Sequence, residues 1–301
     1  MNNNEKNSLE NDLEILNEAI KNKDELTLIQ IFFRKNYEYL NTIKNEYNNN
    51  NINNDLIYSI KEILSPELKQ ITFLLFNSLI ENICVALNNC FNSIGNDIEN
   101  LIEIIITIPN FLMNNVCECY YKKFNEKLIE NFDEENFVEK IFIEILKSKR
   151  NEKIYPNNNE LNDVVKDLYE KFNEDKIIKI FSCKSYVEIV MICYLFEKKY
   201  NMKIVDFINE KINNNNNNNN YFEIFFVNLI EYIENPGKYF AKKIYKMKNR
   251  NLFRILIMRY ETNMNDIKEE YKKLFGVDLE DEIKNKFNGN LGKALVYLIN
   301  R

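Results

Sequence analysis

Histidine is missing altogether, and glycine and proline are scarce, with five and four copies in 301 residues. Without histidine the commonest general base is gone, which excludes hydrolases of the Ser-His-Asp or Cys-His kind. It also removes a usual zinc ligand. The six cysteines, Cys84, Cys90, Cys117, Cys119, Cys183 and Cys193, form no CxxC pair and read as reduced thiols scattered through helix cores. No apolar leader stands at Met1 to Lys6, and the richest apolar stretch, Ile71 to Leu87, is interrupted by Asn77, Ser78, Glu81 and Asn82. Neither a secretory signal nor a membrane-spanning helix is therefore expected, and the expected location is cytoplasmic. Positive charge is in deficit as well, at a net charge of −6 and a pI near 5.2. That balance argues against general nucleic-acid binding, which rests on basic surface. Attachment to anionic lipid would need a bridging cation or a local basic patch.

What the chain does have is a repeat. At Ile43, Val116, Ile192 and Ile267 an aliphatic residue is followed four positions later by an aromatic one, Tyr47, Tyr120, Phe196 and Tyr271, and the pattern recurs about every 75 residues. A second register closes each unit on a helical stripe of the i, i+3, i+4, i+7, i+8 form. Its members are Leu68, Ile71, Thr72, Leu75 and Phe76; Val138, Ile141, Phe142, Ile145 and Leu146; Tyr221, Ile224, Phe225, Asn228 and Leu229; and Leu291, Ala294, Leu295, Leu298 and Ile299. With 45% hydrophobic residues the chain can bury a large core. The expectation is an all-α fold whose turns are built from Asn and Asp, which tolerate left-handed backbone in place of glycine.

The units are placed at 9–76, 77–150, 157–233 and 234–301, after a polar tail at 1–8. The polar run Ser148 to Asn159 contains Pro156 and its core, 151–156, is read as the longest connector, dividing the units into two successive pairs. Inside the third unit Asn213–Asn220 is an unbroken Asn tract, read as a flexible loop or, alternatively, as a self-associating polar segment.

The fourth unit carries the most recognisable pattern. Arg254 to Glu261, Asp266 to Gly276, Leu279 to Ile283 and Leu291 to Leu295 together resemble the second to fifth helices of an annexin repeat, and the repeat count, the central connector and Asn235-Pro236 extend the resemblance over essentially the whole chain. The resemblance implies four repeats of about five helices in a slightly curved superhelical disc, whose convex face binds acidic phospholipid through calcium. In that family the ion is held by carbonyls of a Gly-x-Gly-Thr loop between the first two helices and by a carboxylate about 40 residues later, a hard-oxygen set suited to Ca²⁺.

Three of the four loops depart from this pattern. The first reads Ile20 to Asp24 and its acid position falls near Ile63. The third reads Glu170 to Glu174 and its acid position falls in the Asn tract. In the fourth, Lys248 to Asn251, the acid is replaced by Lys286. The second, Phe91 to Asp97, keeps Gly95. By resemblance the carbonyls of Phe91, Ser93 and Gly95 and the carboxylate of Asp133, or of Glu134 or Glu135 in a shifted register, would hold one weakly bound Ca²⁺. The alternative is that Gly95 ends a helix and Asp133 to Glu135 form a solvated acidic helix start. Lys246, Lys248, Arg250, Lys284 and Lys286 would make a calcium-independent basic patch on the fourth repeat, with Lys21, Lys23 and Lys61 in the first; ordinary charge at helix C-termini is the plainer account. Arg259, at the family's arginine position, and Lys184, at its match in the third unit, are assigned to capping or charge pairing; Lys35 and Ile108 occupy the other two. Ile108-Pro109 should end a helix.

The function expected is that of a peripheral membrane protein on acidic phospholipid with at most one calcium site. The rival is an interaction or cytoskeletal scaffold of the same fold that has lost calcium and lipid. No nucleic-acid partner is expected, and no catalytic constellation converges.

Overall fold

Asparagine and aspartate start the helices. Asp24, Asn36, Asp55, Asp97, Asn136, Asn157 and Asn173 each precede a helix and accept a hydrogen bond from a backbone N–H of its first turn, satisfying donors that the helix itself cannot. Asparagine also stops them: Asn125 and Asn201 close two helices at left-handed φ of 56° and 50°, where Gly276 closes a third at 73°. Few glycines are needed because a short amide side chain tolerates that backbone.

This computed structural model describes residues 3–51, 55–93, 97–152, 155–213, 220–246 and 249–301. Among them 19 α-helices fall in four runs of five elements. The first is α1 (Asn3–Asn22), α2 (Glu25–Phe32), α3 (Tyr37–Asn50), α4 (Leu56–Lys61) and α5 (Pro66–Leu75). The second is α6 (Leu79–Phe91), α7 (Ile98–Thr107), α8 (Asn110–Phe124), a 3₁₀ turn (Leu128–Asn131) and α9 (Phe137–Leu146). The third is α10 (Asn158–Glu170), α11 (Glu174–Cys183), α12 (Tyr186–Tyr200), α13 (Ile204–Asn213) and α14 (Asn220–Glu234). The fourth is α15 (Pro236–Lys246), α16 (Asn249–Arg259), α17 (Met264–Phe275), α18 (Leu279–Lys286) and α19 (Gly289–Ile299). Residues 214–219 of the Asn tract lie outside the described residues.

The repeating pair is the core of each run. Ile43, Val116, Ile192 and Ile267 are fully buried on the third helix of their runs, and so are Tyr120, Phe196 and Tyr271, with Tyr47 nearly so. The closing stripe holds on α5 and α9, and on α19 except for half-buried Leu291. On α14 the buried side is Phe222, Phe225, Phe226 and Leu229, while Tyr221, Ile224 and Asn228 are only half-buried. The expected stripe there is thus off by one residue, because apolar side chains flank the aromatic face on both sides. Ile108 is extended at ψ 122°, so α7 ends before Pro109 as expected. The six cysteines remain thiols. Among the described residues no helix is long and apolar enough to cross a membrane.

The runs combine differently from their order along the chain. One compact unit comprises Met1–Asn82 with Phe240–Arg301, the other Ile83–Tyr239. The connector therefore does not separate successive pairs: the second and third runs share a unit across it, and the first shares one with the fourth. The packing follows one scheme in both. In the first unit α19 lies on α2 and α16 on α5; in the second α9 lies on α11 and α7 on α14.

An arginine fastens each combination. After α9, the Arg150 guanidinium donates to the carbonyls of Phe181 (2.7 Å) and Lys184 (2.6 Å) at the end of α11 and covers the Tyr186 ring at 4.6 Å. After α19, Arg301 donates to the carbonyls of Phe32 (2.5 Å) and Phe33 (2.9 Å) at the end of α2 and covers Tyr260 at 4.5 Å. Tyr186 in turn donates its hydroxyl to Ile106 at the end of α7, at 2.9 Å. These are carbonyls that a helix end leaves without partners, and a charged fork satisfies two at once.

Replacing Arg150 with Ala should cost about 2–4 kcal/mol, from two charge-assisted bonds and the orphaned carbonyls. Arg150→Lys should recover less than half, since a single ammonium cannot reproduce the fork. Urea unfolding midpoints of the three proteins measure both.

Candidate functional site

The loop after α6 is drawn closed by Ser93. Its Oγ donates to the Cys90 carbonyl at 2.8 Å and accepts from the Asp97 N–H at 2.9 Å. Asp97 then turns to α7, accepting from the Asn100 N–H at 3.4 Å and from the Asn100 amide at 2.5 Å, so its carboxylate serves the helix start. Gly95, together with Ile94 and Asn96, lies outside the described residues.

Asp133 sits in the turn before α9 with its side chain exposed. Its Oδ1 accepts from the Glu135 N–H at 2.9 Å, and its own N–H donates to Glu139 Oε2 at 2.6 Å. Burial lifts Glu139 above the ordinary carboxylate range; the Asp133 N–H pulls it back and the Asp133 charge lifts it further. Aromatic packing joins this turn to the loop. Phe132 meets Phe91 edge to face at 5.5 Å and Phe142 at 5.6 Å, and Phe91 reaches Tyr120 at 6.5 Å. Because Phe132 precedes Asp133, the contact sets the Asp133 turn beside the end of α6. The ring contact thus puts the Asp133 turn near Phe91 at the end of α6; backbone carbonyls there with one carboxylate would be hard-oxygen donors of the kind Ca²⁺ takes. Among the described residues no group of three or more His, Cys, Asp or Glu side chains converges; a set with a single carboxylate is not of that type.

Of the other three loops, the first and third are engaged by the protein's own groups, while the fourth lies partly outside the described residues. Between α1 and α2, Lys23 adopts φ 55°, the Asp24 N–H returns to Ala19 at 2.8 Å, and the Asp24 carboxylate accepts from both the N–H and hydroxyl of Thr27. Half-buried Ile63 offers no side-chain oxygen. Between α10 and α11, Lys176 pairs with Asp167 across the turn, and Phe172 packs on Phe207 at 5.9 Å. In the fourth run Lys286 pairs with Glu282 at 3.0 Å and lies 5.9 Å from the Tyr245 ring.

The basic candidates differ among themselves. Lys284 pairs with Glu280 at 2.6 Å and stands 4.0 Å from Asp281, and Lys286 is paired as described. Lys246 is exposed with no carboxylate partner among the described residues. Lys248 and the Arg250 side chain lie outside them. Of the two residues assigned to capping or pairing, Lys184 pairs with Glu188 at 3.0 Å within the capping box of α12 and Arg259 covers the Phe240 ring at 4.1 Å; at the matching position of the first run Lys35 pairs with Asp12 at 3.0 Å.

Sequence reasoning missed Glu25. Its Oε1 accepts from the Ser65 N–H at 2.6 Å and its Oε2 from the Asn290 side chain at 2.7 Å. One carboxylate thus gathers the start of α2, the α4–α5 loop and the start of α19. Partners 40 and 265 residues away leave no local signal.

Comparison with known proteins places this geometry. The annexin family model matches residues 240–298. Annexin A1 of Bos taurus is 24% identical, covering 96% of this chain and 86% of its own. Among solved structures, annexin III superposes with a TM-score of 0.86 at 20% identity, over 96% of this chain and 93% of that one. Calcium-bound annexin (Sm)1 superposes at 0.81 and 19% identity, over 97% and 90%. At these identities the structural likeness establishes the fold.

Phe132→Ala should cost about 3–5 kcal/mol by removing a buried ring from the aromatic row. Hydrogen exchange should quicken at the Asp133 turn more than on α8, because that ring is what seats the turn.

Proposed function

The chain belongs to the annexin family, and on that premise we propose that it is a peripheral membrane protein that attaches to acidic phospholipid. It is a binding protein of the cytoplasm and not an enzyme. Calcium has at most one site, in the second run, held by the carbonyls of Phe91, Ser93 and Gly95 and by the Asp133 carboxylate. Bound there, the ion would bridge these oxygens to a lipid phosphate. The observation that carries the reading is the Phe91–Phe132 contact, which seats the exposed Asp133 turn at the end of α6. The weakness of the site follows from its single carboxylate, since affinity rises with ligand charge. Lys246 supplements it without calcium, while Lys284 and Lys286 contribute less because neighbouring carboxylates already neutralise them.

A second reading has its own support. Two loops are engaged by internal hydrogen bonds or an ion pair, and Lys286 at the fourth run's acid position pairs with Glu282, which favours a scaffold of annexin fold that binds cytoskeletal or other protein and no longer needs lipid.

Calorimetry should give a calcium affinity on the order of 10⁻⁴ M or weaker for the natural chain, and no heat for Asp133→Ala. Flotation with phosphatidylserine vesicles should require calcium for most of its yield and lose that part in Asp133→Ala. If neither calcium nor anionic lipid alters flotation, the scaffold reading replaces the membrane one. In EGTA at low salt, Lys246→Glu should reduce residual flotation by about 1 kcal/mol or more, and Lys284→Glu by less.

A further inference from the structure

A cleft opens among α9, α10 and α11, with a volume of about 530 Å³. Its floor is apolar, formed by buried Leu168 and Ile180 and half-buried Val164. Four lysines surround that floor: Lys149, Lys176, Lys179 and Lys184. The two acids in the lining are taken, Asp167 by Lys176 and Glu144 by Lys147. Lys184 is held by Glu188. Lys149 and Lys179 remain, both exposed and without a carboxylate partner among the described residues. Two unneutralised ammonium groups thus overlook a nonpolar surface.

The mouth is held in place before anything binds. Arg150 pins the connector to the end of α11, and the Asn151 N–H donates to the Cys183 carbonyl at 2.7 Å. Lys149 precedes these two anchors, so the backbone that carries it is fixed. A concave, largely apolar site with a few charged groups on a fixed frame is the ordinary form of a small-molecule pocket, and little ordering remains to oppose binding.

We propose that this cleft binds a small organic anion with a nonpolar body, its carboxylate, sulfonate or phosphate head against Lys149 and Lys179 and its body on Val164, Leu168 and Ile180. An inorganic anion would leave the floor unused, and a neutral apolar molecule would leave both charges unanswered. The assignment is independent of calcium and of the membrane.

The probe is 8-anilinonaphthalene-1-sulfonate, titrated by fluorescence into the full chain at low salt. One saturable site is expected, about tenfold weaker in Lys149→Glu/Lys179→Glu and unchanged in Lys246→Glu. Half-buried Cys183, on the cleft wall, should react more slowly with N-ethylmaleimide when the probe is bound, as read by peptide mass spectrometry. Laurate should displace the probe and inorganic phosphate at the same concentration should not. Equal affinity in the natural chain and the folded double variant, an unchanged Cys183 rate at saturation, or displacement by phosphate would each overturn the proposal. If circular dichroism shows the double variant unfolded, Lys179→Glu alone serves, with about a threefold loss expected.

Discussion

Helix ends that face another helix bundle must find donors for carbonyls that water cannot reach, and in both units this constraint is met from the other run. Arg150 satisfies the end of α11, Arg301 the end of α2, and Tyr186 the end of α7. Each arginine also lays its flat face on a tyrosine, a use of the side chain that a lysine would not match. The consequence is that the second run is fastened to the third and the first to the fourth, whatever their order along the chain. The helices that carry the turns are then fixed relative to one another inside each unit, and the candidate loops inherit their positions from that frame.

Aromatic stacking holds the end of the first helix in the third and fourth runs. Tyr169 stacks on Tyr200 at 3.8 Å in the third run, and Tyr245 stacks on Phe275 at 4.1 Å in the fourth. Both pairs join the last turn of a run's first helix to the last turn of its third. In the second run the helix end is packed by Phe91 and Phe132 instead, and Asp133 remains outward. Asp133 thus stays exposed, whereas Asp24 caps α2 and Asp167 pairs with Lys176.

Much of this was legible in the sequence because the core repeats. The Ile43–Tyr47 pair and its three counterparts mark a buried helix face that periodicity alone identifies, and Asn and Asp at the helix ends have a direct stereochemical reading. The stripe on α14 was misplaced by one residue because Tyr221 and Ile224 mimic the spacing of the true face beside them. The combination of runs was not legible from the connector: a polar, proline-containing segment suggests separation, yet Arg150 within it is pinned to α11. Asp133 was singled out through family resemblance, while Phe132, which packs its turn against α6, looked like any buried aromatic. Glu25 and the two arginines act over tens to hundreds of residues, where no spacing rule applies.

The fastening of Arg301 to α2 spans 268 and 269 positions. The segment from Ile83 to Tyr239 is one continuous stretch of chain, whereas α1 to α5 share a unit with the fourth run, which is made later. Loop closure over such a distance is slow, and the apolar sides of α2 and α5 stay uncovered meanwhile. The helices of the first run are thus completed only after the fourth run has been made.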